Sequence, residues 1–231
     1  MGGGIIIVSK DSLNRYHLLF GREAINGCCK KSDKGKFSDF GGAADKGETD
    51  EQTALREFME ETMGLYLTKE TMKKYMKEHK ETVVELGGYS SFLLMSPWDI
   101  YHPINFDFPG KLKASFDHCW KNNRNMVFEH NGLYEKDMAR WMRVDLLQRN
   151  LHNFRPWYKK HVREIDNLLA KQDFVLDIIN FDTQSAVTSI QNRSISDAVQ
   201  LAATAAGTVI QHPGAIAPAA AFRAAIATAG I

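Results

Sequence analysis

The sequence of 231 residues contains few cysteines, no long apolar run and almost no net charge. Its three cysteines are Cys28, Cys29 and Cys119, and an odd number with two adjacent argues against a disulfide framework. The apolar run at 5–8 is too short for a signal peptide or a membrane span. A formal net charge of +1 gives no general attraction to nucleic acids or membranes. We therefore expect a reduced, cytoplasmic protein that has no membrane partner.

The chemistry of the chain is concentrated in residues 41–65, GGAADKGETDEQTALREFMEETMGL. Thr49 and Gln52 form a capping-box pattern, which predicts that a helix begins there. No glycine or proline follows until Gly64, and glycine is typical of the position just past a helix end. At about 100° per residue, one arc of this helix is apolar and is expected to face the core. The arc contains Ala54, Leu55, Phe58, Met59 and Thr62.

A second arc of the same helix is acidic, with Glu57, Glu60 and Glu61 at positions i, i+3 and i+4. Like charges at these spacings destabilise a helix by roughly 0.2–0.5 kcal/mol per pair unless a counter-charge lies near them. A hard divalent cation that prefers oxygen ligands, Mg²⁺ or Mn²⁺, would neutralise them. The alternative is an ordinary solvated acidic face, which needs no metal.

The spacing around this helix is more specific than the acidic arc alone. It resembles the Nudix box of the Nudix hydrolases, G-x5-E-x7-R-E-U-x-E-E-x-G-U, in which U is apolar. The departure is at the end, where Thr62 and Met63 stand in place of a single residue, so we expect a longer exit from the helix. The positions that match the pattern are Gly42, Glu48, Arg56, Glu57, Glu60 and Glu61, and Gly64 stands one residue later than the pattern places its glycine.

The resemblance implies an α/β fold, the Nudix-like α/β/α sandwich, in which a mixed sheet lies between helical layers. It also implies that Glu57, Glu60 and Glu61 bind the catalytic Mg²⁺ or Mn²⁺. A backbone carbonyl at or near Gly41 commonly completes the metal shell in the family, and a residue without a side chain permits that close approach. The implied reaction is hydrolysis of a diphosphate joined to a nucleoside or a similar group.

Further roles follow from the same resemblance. Arg56 is expected to pair with Glu48 and to orient the acidic cluster rather than to touch the substrate. Gly42 and Gly64 are expected to be structural, at the start and the end of the box.

A general base is sought in the predicted loop at 127–137, where many relatives place an additional acidic residue. The loop contains Glu129 and Glu135. We favour Glu135, because it is nearer the strand expected beside the box helix, and a carboxylate on a loop can accept a proton from a metal-bound water. The alternative is that both residues are solvated and the box glutamates suffice.

Phosphate contacts are predicted in the loop at 22–37, which lies just ahead of the glycines of the box. Arg22, Lys34 and Lys36 supply positive charge there, and such side chains are typical phosphate ligands. The alternative is a mobile, solvated loop.

Domain organisation is inferred from composition. We expect a Nudix domain at 1–181 with an aromatic-rich insertion at about 97–124, followed by a tail at 182–231 rich in Ala, Ser and Thr. Tyr101 and Phe106 in the insertion could stack on a nucleobase or could pack in the core. The tail is expected to be helical in part, and either to pack weakly, to mediate homo-oligomer formation or to stay mobile.

Periodicity and turn residues predict the other elements. Gly87-Gly88 between two apolar runs indicates a β-hairpin, and Pro156 is typical of the first turn of a helix. The predicted strands lie at 4–9, 16–21, 82–86, 89–95 and 138–144, and the further helices at 68–79, at 111–123 and from Pro156 through Leu169.

Two function hypotheses follow. The first is a divalent-metal-dependent pyrophosphohydrolase that cleaves a nucleoside diphosphate derivative. Its phosphate-containing substrate would be a nucleotide, a dinucleoside polyphosphate, a nucleotide sugar or capped RNA, with an inositol pyrophosphate less favoured. The second is a catalytically silent Nudix-like module that binds a nucleotide or RNA. Loss of box glutamates would favour the second hypothesis, and none is lost here.

Overall fold

The computed structural model describes residues 1–11, 13–27, 29–78, 83–96, 108–128 and 132–170. Tyr101, Phe106 and the tail at 182–231 lie outside these residues. None of the described helices is both long and apolar enough to cross a bilayer. The elements are β1 (Gly2–Lys10), β2 (Tyr16–Glu23), β3 (Phe37–Ser38), β4 (Phe40–Ala43), α1 (Asp50–Glu61), α2 (Lys69–Glu78), β5 (Val83–Leu86), β6 (Tyr89–Met95), α3 (Phe108–Asn122), α4 (Arg124–Phe128), β7 (Lys136–Arg143), two 3₁₀ helices (Val144–Leu146 and Gln148–Asn153) and α5 (Lys159–Ala170).

Within the described ranges, seven strands form one mixed sheet with β1 at its centre. β1 runs parallel to β6 along one side. On its other side β1 pairs antiparallel with β4 near its start and with β2 near its end. β2 also pairs with β3 and β7, and β5 forms the predicted hairpin with β6. This arrangement places the glycines of β4 beside those at the start of β1.

Helices cover both faces of the sheet. In β1, Ile5 and Ile7 belong to the core shared with α1, α2 and α3, whereas Ile6 and Val8 belong to the core shared with α5. A strand that is buried on both faces is apolar without alternation, which explains the continuous run in β1. The α/β sandwich with a mixed sheet that the sequence predicts is therefore confirmed.

The helix of the box, α1, begins at the predicted capping box. The Thr49 hydroxyl accepts from the backbone N–H of Gln52, and the Gln52 side chain accepts from the backbone N–H of Thr49. The first turn then packs directly on β1, because a Cβ added to Gly3 would lie 2.3 Å from the carbonyl oxygen of Asp50. The glycine at this position brings α1 close enough to set its acidic residues against β4.

The exit from α1 is a turn through two residues with positive φ, Met63 at 52° and Gly64 at 62°. The N–H of Gly64 donates to the carbonyl of Met59 at 2.9 Å, which closes the turn. The helix itself ends at Glu61. The additional residue of the box pattern therefore falls in the turn and leaves the spacing of the glutamates unchanged.

Several element boundaries differ from the prediction. α5 begins at Lys159 rather than at Pro156, which lies in a preceding turn. α3 begins earlier than predicted, at Phe108, and β7 begins at Lys136, inside the predicted loop. Residues 124–128, which overlap the start of that loop, form the short helix α4.

α3 falls within the segment interpreted as an insertion, and it packs in the main core. The Phe108 ring meets Phe40 at a centroid distance of 6.0 Å and Tyr66 at 5.3 Å, both edge to face. Leu112 and Phe116 are buried in the same core. The described part of this segment thus helps to cover the same face of the sheet as α1 and α2.

Candidate active site

Arg56 joins the loop before α1 to the acidic residues of the helix. Its Nε and Nη2 each lie 2.9 Å from a carboxylate oxygen of Glu48, and Nη2 also donates to the carbonyl of Ala43 at 3.1 Å. Its Nη1 donates to Glu57 at 2.9 Å and to Glu60 at 3.3 Å. One guanidinium therefore hydrogen-bonds with three carboxylates, and the paired contact with Glu48 fixes the orientation of the guanidinium plane.

Two glycines approach these carboxylates so closely that a side chain would collide with them. A Cβ added to Gly42 would lie 2.5 Å from Oε1 of Glu57. A Cβ added to Gly132 would lie 2.3 Å from Oε2 of Glu60. The acidic site is therefore enclosed by β4 on one side and by the segment before β7 on the other.

Glu61 points into the protein, away from Arg56. Its Oε2 accepts from the backbone N–H of Gly41 at 2.8 Å, and its Oε1 lies 3.1 Å from Nζ of Lys136. The Glu61 side chain is 1% exposed, whereas Glu57 and Glu60 keep 12% and 9% of their side chains exposed. The three box glutamates thus share one end of α1 but have different counter-charges.

The electrostatics of the three carboxylates favour an additional cation. Burial raises the pKa of Glu57, although Arg56 opposes this. Burial, and next the charge of Glu57, raise the pKa of Glu60 to about 7. Burial raises the pKa of Glu61 well above its ordinary value, against the effect of Lys136. Since burial and like charges both disfavour ionised carboxylates, full ionisation of the cluster calls for more positive charge than these side chains supply.

Glu135 lies beside this cluster, immediately before β7. Its charge contributes to the raised pKa of all three box glutamates. Its side chain is half-buried, and its backbone carbonyl accepts from the N–H of Ala24 at 2.8 Å. Glu129, the other acidic residue considered in this segment, lies outside the described residues.

The predicted phosphate contacts lie on β2 and the following loop. Arg22 is half-buried and pairs with Asp137 of β7, with 2.7 Å between Nε and Oδ1. Lys36 donates to the carbonyl of His152 at 2.9 Å. Lys34 is half-buried in a turn that begins at Lys30. Tyr101 and Phe106, predicted to stack on a base, lie outside the described residues.

A buried set of charged residues behind Glu61 was not found from the sequence. Lys136 is fully buried and pairs with Glu23 of β2 as well as with Glu61. Glu23 in turn lies 3.1 Å from Arg155. Charged residues at a predicted strand end or in a loop are ordinarily solvated, and no motif marks these three.

Ligand type and charge in this site fit a hard divalent cation such as Mg²⁺ or Mn²⁺, which prefers carboxylate oxygens. In the part of the chain that the structure describes, no three Asp, Glu, His or Cys side chains already converge as a metal centre. Glu57 and Glu60 are instead turned towards Arg56, and Glu61 is turned towards Lys136. The carboxylate oxygens are therefore suitable ligands for such a cation, although in this structure they contact the positively charged side chains of Arg56 and Lys136.

Comparison with solved structures gives distant likenesses. RenU, a Nudix hydrolase from M. smegmatis, is 13% identical with a TM-score of 0.38, and the alignment covers 75% of this chain and 88% of that chain. A C. elegans Ap4A hydrolase in a binary complex is 14% identical with a TM-score of 0.36, with 73% and 96% covered. A NUDIX family hydrolase from Clostridium perfringens is 17% identical with a TM-score of 0.34, with 73% and 96% covered.

The family assignment rests on a family model. Comparison with curated proteins gives no significant match. The model of the NUDIX domain, however, matches residues 4–165, which is more than half of the chain and includes the acidic site described above. The chain therefore belongs to the Nudix family of pyrophosphohydrolases.

Proposed function

We propose that the chain hydrolyses the diphosphate linkage of a nucleoside diphosphate derivative, and that the reaction requires Mg²⁺ or Mn²⁺. The observation that carries the proposal is the position of Glu57, Glu60 and Glu61 together at one end of α1, where burial and, next, neighbouring carboxylates raise the pKa of each. A diphosphate would add further negative charge to this site, so a divalent cation would neutralise both the glutamates and the substrate.

Glu57, Glu60 and Glu61 would hold the cation, together with a backbone carbonyl at or near Gly41. When bound, the cation neutralises phosphate charge, polarises a P–O bond and makes a coordinated water more acidic. The contribution of Arg56 is to hold Glu57 and Glu60 in place, with Glu48 fixing the guanidinium.

Glu135 is the proposed proton acceptor for the attacking water. Its charge contributes to the raised pKa of all three box glutamates, which supports a position close to the site. Glu135 is half-buried and immediately precedes strand β7. A carboxylate in such a position can take a proton once the substrate is bound.

The proposed phosphate contacts are Arg22, Lys34 and Lys36, which lie on β2 and the loop that follows it. Arg22 would exchange or share its present partner Asp137 with a phosphate oxygen. Tyr101 and Phe106 are the proposed base-stacking residues. The candidate substrates are a free nucleotide, a dinucleoside polyphosphate, a nucleotide sugar and capped RNA.

The experiment is a substrate panel, with Mg²⁺ and with Mn²⁺, in which the released products are identified. On the best substrate, Glu60→Gln is expected to lower kcat by at least about 100-fold, because it removes one charged ligand of the cation. Glu164→Gln is the matched control, since Glu164 is an exposed glutamate on α5. Circular dichroism checks that both variants are folded.

The same assays distinguish the alternatives for the general base, the metal site and the catalytically silent module. Glu135→Gln is expected to lower kcat and to remove the acidic limb of the pH–rate profile, while Mn²⁺ binding stays close to that of the wild type. An unchanged profile would return the role of base to the box glutamates. Full activity in Glu60→Gln would contradict the proposed metal site. Binding of nucleotide or RNA without turnover of any substrate would favour the catalytically silent module.

A further inference from the structure

A chain of alternating charges leads from Glu61 through the interior of the protein. Nζ of Lys136 lies 3.1 Å from Glu61 and is also paired with Glu23. Glu23 lies 3.1 Å from Nη1 of Arg155, and Nη2 of Arg155 lies 2.9 Å from Asp33. Negative and positive groups therefore alternate from the box helix, across β7 and β2, to the loop that follows β2.

Lys136 is the member of this chain that touches a box glutamate, and its side chain is 0% exposed. The sheet leaves space for it at Gly21, where an added Cβ would lie 3.0 Å from both Cγ and Cδ of Lys136. Its ammonium also donates to the Ser38 hydroxyl at 3.0 Å. Buried ion pairs often add little to stability compared with apolar residues of similar volume. Stability alone is therefore a weak reason for a lysine here.

Two contacts, one at each oxygen, fix the carboxylate of Glu61. The backbone N–H of Gly41 holds Oε2 and Lys136 holds Oε1. Gly41 is part of β4 and Lys136 is part of β7, so two strands of the sheet set the orientation of this side chain. Groups that hold a metal ligand in this way determine how well the ligand is oriented.

We propose that Lys136 is a positioning residue, which fixes the orientation of Glu61 as a ligand of the divalent cation. The inference rests on the proposed function, in which Glu61 binds that cation. The competing explanation is that Lys136 serves only to balance the buried charge of Glu23, with which it is aligned across β2 and β7.

The two explanations can be distinguished by replacing Lys136 and Glu23 together with uncharged residues. Lys136→Met keeps an unbranched side chain one atom shorter than lysine but leaves Glu23 with less positive charge around it. The double variant Lys136→Met/Glu23→Gln removes one charge of each sign and so avoids that imbalance. Glu23→Gln alone keeps the contact between Lys136 and Glu61, and it is the matched control.

The measurement is Mn²⁺ binding to the full chain without substrate, followed by the electron paramagnetic resonance signal of the free ion. Urea unfolding of each variant is measured alongside. We expect the double variant to unfold at higher urea than Lys136→Met. We also expect it to bind Mn²⁺ about tenfold more weakly than the wild type, since changing a group that orients a ligand typically costs 10–100-fold in affinity. Glu23→Gln is expected to bind Mn²⁺ within about threefold of the wild type.

The outcomes distinguish this inference from the function on which it rests. If Glu61→Gln weakens Mn²⁺ binding but the double variant binds as tightly as the wild type, Lys136 only balances charge and the inference is overturned. If Glu23→Gln alone weakens binding as much as the double variant, the inference is also overturned. If Glu61→Gln binds Mn²⁺ like the wild type, the proposed ligand role of Glu61 fails first.

Discussion

Gly132 brings the backbone against one of the acidic residues of the site. Its φ is +75°, in the left-handed region, and an added Cβ would lie 2.3 Å from Oε2 of Glu60. Gly88, in the hairpin between β5 and β6, has a φ of +78°, but such a Cβ would have no described atom within 4 Å. A side chain at Gly88 would therefore cause backbone strain alone, whereas a side chain at Gly132 would cause the same strain and also collide with a carboxylate.

Alanine substitutions at these two glycines form a matched pair. Gly88→Ala and Gly132→Ala are each expected to lower the free energy of unfolding by about 1 kcal/mol, because alanine tolerates a positive φ poorly. Only Gly132→Ala is expected to lower kcat, by about tenfold or more, because its methyl group displaces Glu60. Steady-state kinetics and urea unfolding of both variants check this. Equal kcat values would show that Gly132 matters for the backbone alone.

Some contacts between single residues could be predicted from the sequence and others could not. The pairing of Arg56 with Glu48 was expected from the resemblance to the Nudix box, a continuous stretch of sequence in which both residues are fixed positions. The pairing of Lys136 with Glu23 depends on the register of β7 against β2, and that register shifts between Arg22 and Glu23. A shift of one residue exchanges the two faces of a strand, so no local pattern could indicate which face Lys136 occupies.

Glu48 and Arg56 tie the loop before α1 to the second turn of that helix. Donation from Arg56 lowers the pKa of Glu48 to about 2. A carboxylate with a lowered pKa in the folded state stabilises the protein above its unfolded pKa, and it loses this effect as the pH falls towards the folded value. The pair therefore stabilises the attachment of α1 at neutral pH and not in strong acid.

Glu48→Gln is expected to reduce this pH dependence. At pH 6 the variant should be less stable by about 1–2 kcal/mol, a figure kept small because solvent screens a partly exposed pair. The difference should shrink as the pH falls from about 4.5 towards 2, since the unfolded wild-type chain then binds a proton at Glu48 that the folded protein does not bind. Urea unfolding of both proteins from pH 6 to pH 3.5 measures it. A difference that stays constant over this range would rule out the ion pair as its origin.

Whole elements were predictable where their signals are local. The capping box placed the start of α1, and Gly87-Gly88 placed the β5–β6 hairpin. β7 was predicted to begin too late, because Lys136 and Asp137 are charged and charged residues are typical of loops. In the structure, however, each finds an opposite charge on β2, where Asp137 pairs with Arg22. Long-range pairing thus permits a strand that local composition disfavours.

At the scale of the whole molecule, α5 completes the second of the two cores. Val162, Ile165 and Leu169 are buried against the face of the sheet opposite α1, together with Ile6 and Val8 of β1. The family model ends at residue 165 and α5 ends at Ala170. In the part of the chain that the structure describes, both cores and the acidic site are built from residues up to Ala170.

The predicted domain at 1–181 can be tested by removing the tail. Truncation after Phe181 is expected to leave kcat within a few-fold of the full chain and the unfolding midpoint within a few degrees. The physical reason is that the tail contributes only Arg193, Asp197 and Arg223 as charged residues beyond Thr183. Sedimentation of both proteins would show whether the tail mediates the homo-oligomer considered above.

A shorter chain that ends at Tyr158 is the control, since it lacks α5 and uncovers the second core. Each of the three buried apolar residues of α5 would lose about 1.5–3 kcal/mol of burial free energy, against a total stability of about 5–15 kcal/mol for an ordinary domain. We therefore expect this chain to lose cooperative unfolding, whereas the chain ending at Phe181 retains it. A hundredfold loss of kcat in a folded 1–181 chain would mean instead that the tail contributes groups to the active site.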